Sequence, residues 1–259
     1  MKVSRLEDTV AVLTGSSAGI GLEIACQLAE SGAKGIVLNG RSEQTGQVAL
    51  EAVRARAPQC DVRFVAGDAT VVDDIHTLID TSMRTFGRID VLVNGIGGGL
   101  SPRPFTATPA DTFLDLVNRH FLGAVHASHW VLPHMIAREG GVILNMASDA
   151  GKVATPGETV IGALKAATIM FTRTLALETA RRGVRVHCLT PSIVRLTPNY
   201  DRLMSDDFSR KLFQRAEARA ALGVTTPSDI ARLAVFLASP AAANMTGQAI
   251  SVNGGISAA

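Results

Sequence analysis

"VAVLTGSSAGIGLEIACQLAESG", residues 10–32, decides the fold. It reads as a strand, a glycine turn and a helix in immediate succession. Gly15, Gly19 and Gly21 form the spacing G-x-x-x-G-x-G. Glycines at such a turn let the backbone reverse tightly and approach a pyrophosphate, which then lies at the positive end of the following helix. The pattern is weak alone and strong in this strand–turn–helix context.

The same alternation continues outward from this stretch. Short β-branched runs predict strands at 9–14, 35–39, 62–66, 91–94, 142–146, 184–189 and 249–252. Helix-period stretches begin near Gly19, Ser42, Val71, Pro109, Pro156 and Pro227. The strands are continuously apolar, as strands covered on both faces are. Strand–helix alternation of this kind implies an α/β protein with a doubly wound parallel sheet and right-handed crossovers. No linker or compositional break divides the chain, so residues 1–259 are expected to form a single Rossmann-type domain. Residues 197–223 interrupt the rhythm with Arg, Asp and helical propensity, and are expected to form a lid over the substrate.

Bulk properties narrow the class. Of 259 residues, 47% are hydrophobic and 19% charged, enough for a substantial core. A net charge of +2 with no long basic run gives no nucleic-acid footprint. Cys26, Cys60 and Cys188 are scattered and odd in number, which predicts neither a disulfide framework nor a metal site. The N-terminus "MKVSRLEDTVAVLTG" has charges through Asp8 and only a short apolar run, unlike a signal peptide or a membrane span. A soluble cytoplasmic protein acting on a small molecule is expected.

Several motifs together, "TGSSAGIG", "GDAT", "NGIG", the pair Ser148 and Lys165, and "TGQAISVNGG", resemble the short-chain dehydrogenase/reductase family in order and spacing across essentially the whole chain. The resemblance implies a single-domain Rossmann fold, NAD or NADP as cofactor, and a homotetramer. It places the pyrophosphate on the turn of Gly15, Ser17, Gly19, Ile20 and Gly21. It sets Asp68 and Ala69 at the adenine, Asn94 and Gly95 along the cofactor cleft, and Pro191 and Val194 beside the nicotinamide. Strand 2 ends "IVLNGRS": Gly40 stands where NAD-preferring folds carry an acid for the ribose 2′-OH, and Arg41 follows it. A guanidinium suits a 2′-phosphate, so NADP(H) is expected over NAD(H). Ala18 occupies the place of the family's frequent basic residue in the turn and argues the other way.

The chemical centre departs from the family. The resemblance calls for a Tyr that protonates the carbonyl oxygen, a Lys four residues on that lowers its pKa, a Ser on the same oxygen and an Asn on the preceding helix. "NMASDAG" supplies Ser148, and Lys165 is in place within "ETVIGALKAATIMF". The Tyr position is Ile161, which can do no chemistry, and the Asn position falls on His120; Asn118 is two residues out of register. In the family the lysine also binds the ribose of the nicotinamide half, a role that survives loss of the Tyr. His120 shares an inward face with Phe113, Leu116, Val117 and Ala124, and near Lys165 its pKa should fall, leaving a neutral imidazole able to donate a hydrogen bond. The catalytic candidates are therefore Ser148, Lys165 and His120; Asp149 and Glu158 flank them with unknown direction. His126 and His129 sit at i, i+3 without a Cys, Asp or Glu cluster, so no metal site is expected. After strand 6 the family's Thr is displaced: Leu196 holds its place and Thr197 comes one later. Gly97, Gly98 and Gly99 precede the proline-rich "SPRPF", bearing on pocket shape.

These residues predict an NADP-dependent oxidoreductase with an atypical site, reducing an activated C=C or a carbonyl. Some enoyl- and dienoyl-type family members are similar in lacking the Tyr. The alternatives are a non-redox dehydratase, isomerase or cyclase on the same fold, and a cofactor-binding protein without catalysis.

Overall fold

Seven parallel strands lie in the order β3-β2-β1-β4-β5-β6-β7. They are β1 Val10–Thr14, β2 Gly35–Gly40, β3 Asp61–Ala66, β4 Val91–Asn94, β5 Gly141–Met146, β6 Val184–Leu189 and β7 Ala249–Ile250. The structure, a computed structural model, describes residues 6–259. The charged residues 1–5, on which the reading of the N-terminus partly rests, lie outside the described residues.

The strand interiors are apolar on both sides because helices cover both faces. Ala11, Leu13, Ile36, Leu38, Val91 and Val93 pack with Ile24 and Leu28 of α1 (Gly19–Glu30), with Leu50 and Val53 of α2 (Glu43–Arg56), and with Ile230 and Leu237 of α9 (Pro227–Ala238). Their alternating neighbours Val12, Val37, Leu92 and Ile143 face Ile75 and Leu78 of α3 (Val72–Phe86), and Val131 and Met135 of α5 (Gly123–Ala137). Leu175 of α6 (Thr159–Thr179) joins this second face. Period-two direction with cover on both sides produces the continuous hydrophobic runs seen in the sequence.

The strand order reverses between β1 and β4, whose ladder pairs Ala11 with Val91 and Thr14 with Asn94. Crevices open at the carboxyl ends of strands at such a switch point. The glycine turn lies there. Gly15 and Gly19 have φ of +59° and +58°, and a Cβ on Gly21 would come within 2.9 Å of the Ser16 backbone. These positions therefore require glycine.

Three boundaries differ from the sequence reading by more than a one-residue shift. The helix expected near Pro156 starts at Thr159, because Gly157 takes φ +92°, outside the helical region. The helix expected near Pro109 begins as a 3₁₀ turn, Ala110–Thr112, followed by α4 (Phe113–Val117) and a π turn, Asn118–Leu122, before α5. The last strand stops at Ile250, and the Ser251 and Asn253 side chains turn to Asp149. Residues 197–223 contain α7 (Pro198–Ser205) and α8 (Asp207–Glu217). Leu203, Phe213 and Ala216 form a small core with Ile193, separate from the sheet clusters. The stretch Thr159–Arg182 is long and apolar enough by composition to cross a membrane, as the core helix of an α/β sheet also is.

Gly151 fixes how closely α6 approaches the end of β5. A Cβ there would lie 2.7 Å from the Lys165 carbonyl carbon and 2.8 Å from the Ala166 nitrogen, both backbone atoms that cannot rotate away. Gly151→Ala is expected to destabilise the fold by about 1–3 kcal/mol through overpacking. The result should be a lower urea midpoint at unchanged m-value; an unaltered midpoint would show that α6 shifts freely.

Candidate active site

A cleft of about 670 Å³ runs along the carboxyl ends of the strands. Its wall includes Gly15, Ser17, Gly19, Ile20 and Gly21 from the glycine turn, Arg41 after β2, Asp68 and Ala69 after β3, and Gly95 after β4. At the other end it meets His120, Ser148, Ile161, Lys165, Pro191 and Val194. One expected residue is elsewhere. Asn94 is buried, and its side-chain amide donates to Asn145 Oδ1 at 2.8 Å and Ser128 Oγ at 3.3 Å, tying β4 to β5 and α5. It forms part of the floor's internal scaffold and not of the cleft lining, because the alternation of β4 turns position 94 inward.

Asn39 holds the glycine turn in position. Its Oδ1 accepts from the Gly15 backbone, and its amide donates to the carbonyls of Val65 and Gly67 at 3.1 Å each. Ser16 adds a hydroxyl bond to the Leu13 carbonyl and accepts from the Asn39 N–H. Asp68 accepts from both the backbone and the hydroxyl of Thr70. Burial acts to raise its pKa, but those bonds and the field of Arg41 hold it below its ordinary value. Arg41 Nη1 stands 4.0 Å from Asp68, and its side chain is 70% exposed. A Cβ on Gly40 would come within 2.9 Å of Ser17 Oγ, so an acidic side chain there would crowd the turn.

Lys165 is buried, and its ammonium donates to the Met146 carbonyl at 3.1 Å. Burial lowers its pKa to about 8, while Cys188 and Glu158 act to raise it. With one of three N–H groups committed to protein, the ammonium can bind acceptor oxygens in the cleft. Ser148 caps the turn Asp149–Gly151 by accepting from the Ala150 N–H at 3.2 Å, which leaves its own proton free to donate. The glycine cradle, the elongated cleft and this partly satisfied buried cation together fit a dinucleotide.

His120 lies at the centre of the π turn, a widening that recurs at functional sites. Thr168 of α6 can donate to the His120 carbonyl, at 3.4 Å. The imidazole is buried, and neither ring nitrogen has a well-formed hydrogen bond. Burial first, then Lys165, Arg119 and Arg202, push its pKa down to about 3, against the backbone of Gly98. It is therefore a neutral ring bordering the cleft, kept so chiefly by burial and secondarily by Lys165.

Both flanking acids border the cleft, and they differ in their partners. Asp149 turns to the C-terminal tail, accepting from Ser251, Asn253 and Ser257. Glu158 lines the cleft. Arg202, on α7, also lines it; its Nη1 is buried without a partner and its Nη2 donates to Asn199. Sequence reasoning did not place either residue in the site. The i, i+7 spacing of Glu158 and Lys165 was the available signal for the first. Nothing in the sequence marked the second. Tyr200, the one tyrosine, donates its hydroxyl to Glu217 and does not face the cleft. The displaced Thr197 lines the cleft across from Gly19 and caps α7 by accepting from Tyr200 N–H. Leu196 takes the extra residue as an exposed left-handed kink at φ +60°.

Comparison with known proteins bears directly on this arrangement. A family profile described as Enoyl-(Acyl carrier protein) reductase matches residues 15–257. The 7alpha-hydroxysteroid dehydrogenase of Bacteroides fragilis is 33% identical over 257 residues, covering 98% of this chain and 96% of that protein. The 3-oxoacyl-[acyl-carrier-protein] reductase of Staphylococcus epidermidis is 32% identical over 248 residues, covering 95% and 98%. A gluconate 5-dehydrogenase from Burkholderia cenocepacia, solved in complex with NADP and tartrate, superposes with a TM-score of 0.87 at 30% identity, covering 97% of this chain and 96% of that one.

The buried neutral His120 makes stability depend on pH. Its folded pKa lies below the unfolded value of 6.5, so the unfolded chain takes up a proton that the native ring refuses. Stability is thus lost as pH falls below 6.5. His120→Asn should gain on the wild type by about 2 kcal/mol between pH 8 and pH 5 in urea unfolding. Parallel pH dependences would show that the ring protonates freely in the native state.

Proposed function

This chain belongs to the short-chain dehydrogenase/reductase family and is an oxidoreductase, and on that premise we propose that it uses NADP(H) to reduce a carbonyl or an activated C=C through an atypical site. The observation that carries the reading is the pairing of Ser148 and Lys165 around one cleft that also contains the glycine turn. When bound, the reduced nicotinamide supplies the electron pair and one hydrogen for the reduction. The chain's own part is to hold, orient and protonate.

Gly15, Ser17, Gly19, Ile20 and Gly21 receive the pyrophosphate at the start of α1, where the backbone N–H groups point outward. Asp68, Ala69 and Gly95 border the adenine half, and Pro191 and Val194 the nicotinamide half. Lys165 offers its free N–H groups to the ribose hydroxyls. Ser148 donates a hydrogen bond to the reacting oxygen. His120, as a neutral donor, helps orient substrate or a water. Ile161 presents an apolar wall. Arg202, with a buried unpartnered nitrogen, favours an oxygen-bearing substrate, and residues 197–223 act as a lid above it. A cytoplasmic homotetramer goes with this reading. The exposed apolar side chains Met170 and Leu177 on α6 support assembly through that helix.

Preference for NADP(H) rests on Arg41, whose guanidinium is accessible, and on Gly40, where an acid would crowd Ser17. NADPH should bind at least tenfold more tightly than NADH by fluorescence titration. Arg41→Ala should remove most of that difference and leave NADH binding unchanged, as expected for one charge-assisted contact of about 1.5–3 kcal/mol. Equal affinities in the wild type, or a preference that survives in the variant, would contradict it.

A further inference from the structure

Glu158 is the residue that the family pattern leaves without a role. It is the N-cap position of α6, yet its side chain makes no capping bond. Among the described residues its carboxyl makes no hydrogen bond and no ion pair. It is partly buried, and it lines the cleft with Ile161 and Lys165. Ile161 and Lys165 lie four residues apart on one face of the helix, and Glu158 immediately precedes its first turn. Glu158 thus stands three residues before the position where the family carries its tyrosine, in the same cavity. Gly157 holds it there: with φ +92° and its carbonyl accepting from the Arg103 N–H at 2.9 Å, it ends the preceding loop just before the helix.

We propose that Glu158 is the proton donor of this active site, replacing the tyrosine absent at Ile161, and that the group reduced is a carbonyl. The proposal rests on the oxidoreductase reading above. As the carbonyl carbon is reduced, the π electron pair of the C=O moves onto oxygen. The O–H bond of the Glu158 carboxylic acid breaks, and a new O–H bond forms on that oxygen. The carboxylate left behind takes a proton back from water at the open end of the cleft. Ser148 donates a hydrogen bond to the same oxygen throughout. Lys165 assists by stabilising the carboxylate that forms.

The electrostatics agree with this role. Burial raises the Glu158 carboxyl to about 7, against the opposing field of Lys165. An acid near neutrality is protonated often enough to donate and releases its proton readily. Lys165 on its own helix is the charged group that acts on it, with Cys188 of β6 beside that lysine, and Arg119, neutral His120 and Arg202 line the same cavity. The Arg103 guanidinium is turned to the Ser101 carbonyl. Lys165 sets the field at the carboxyl. The remaining acids of the cleft are engaged: Asp68 with Thr70, and Asp149 with the C-terminal tail.

The test uses the full chain with two readouts. The first needs no turnover: carbon-13 NMR of protein labelled at the glutamate carboxyls, with Glu158→Gln identifying the resonance. Titration near neutrality, moving upward in Lys165→Met, is expected; titration with the surface glutamates overturns the proposal. The second is NADPH oxidation with acetoacetyl-CoA and cyclohexane-1,2-dione as probes. Glu158→Gln should lower kcat by roughly 10²–10⁴-fold and abolish its decline above neutral pH. NADPH affinity and melting temperature should stay at wild-type values. Wild-type turnover in Glu158→Gln overturns the role of Glu158 alone. No turnover of either probe by NADPH-loaded wild type overturns the carbonyl-reduction reading and the proposal with it.

Discussion

The burial of the Lys165 ammonium is the constraint around which the cleft is organised. An ammonium with a pKa near 8 in place of 10.5 carries a net penalty on the order of 3 kcal/mol, even with its bond to the Met146 carbonyl. The fold tolerates this because α6 is held tightly onto the end of β5. Gly151 and Gly162 bring the two backbones into contact, and Thr168 reaches across to the π turn. A rigid cation in an otherwise apolar helix face then sets the protonation of its neighbours. It helps to keep His120 neutral and opposes the effect of burial on Glu158. The field of one residue thereby links α6 to the π turn, which is far from it in sequence.

The same constraint bears on position 161, one turn before the lysine. Ile161 presents an apolar wall there, which is inexpensive beside the helix. Removing the lysine would take away the buried cation of the cleft that contains the glycine turn. The π turn at 118–122 has a parallel effect on the opposite wall, where it turns His120 inward and leaves Arg119 at the rim paired with Asp115. α7 adds Arg202, close to Gly98. One end of the cleft thus contains a cation, a neutral imidazole, a serine hydroxyl and a carboxyl that has no partner among the described residues, while the other contains the glycine turn.

Much of the fold was legible in the sequence, because its signals are periodic and redundant. The continuous strands, the glycine turn and the helix starts each obey local rules, so β1 through β6 lie where the runs predict. The misses are tertiary. Gly157 delays α6, and the C-terminal tail shortens β7 by drawing Ser251 and Asn253 to Asp149. Asn94 sits in a motif of the cleft, yet its amide is used to join two strands and a helix, which no single-sequence pattern reveals. The directions of Asp149 and Glu158 were equally hidden. They depend on what the tail and the residue 155–158 turn do in space.

Cofactor binding by Lys165→Met tests this account most directly. Methionine fills the same volume without the charge, so the helix should remain packed, checked by an unchanged far-UV spectrum and a melting temperature no lower than that of the wild type. The account predicts that NADPH then binds at least tenfold more weakly by fluorescence titration, as loss of a hydrogen-bonding cation worth about 1.5–3 kcal/mol requires. An affinity equal to the wild type in a folded Lys165→Met protein would contradict it.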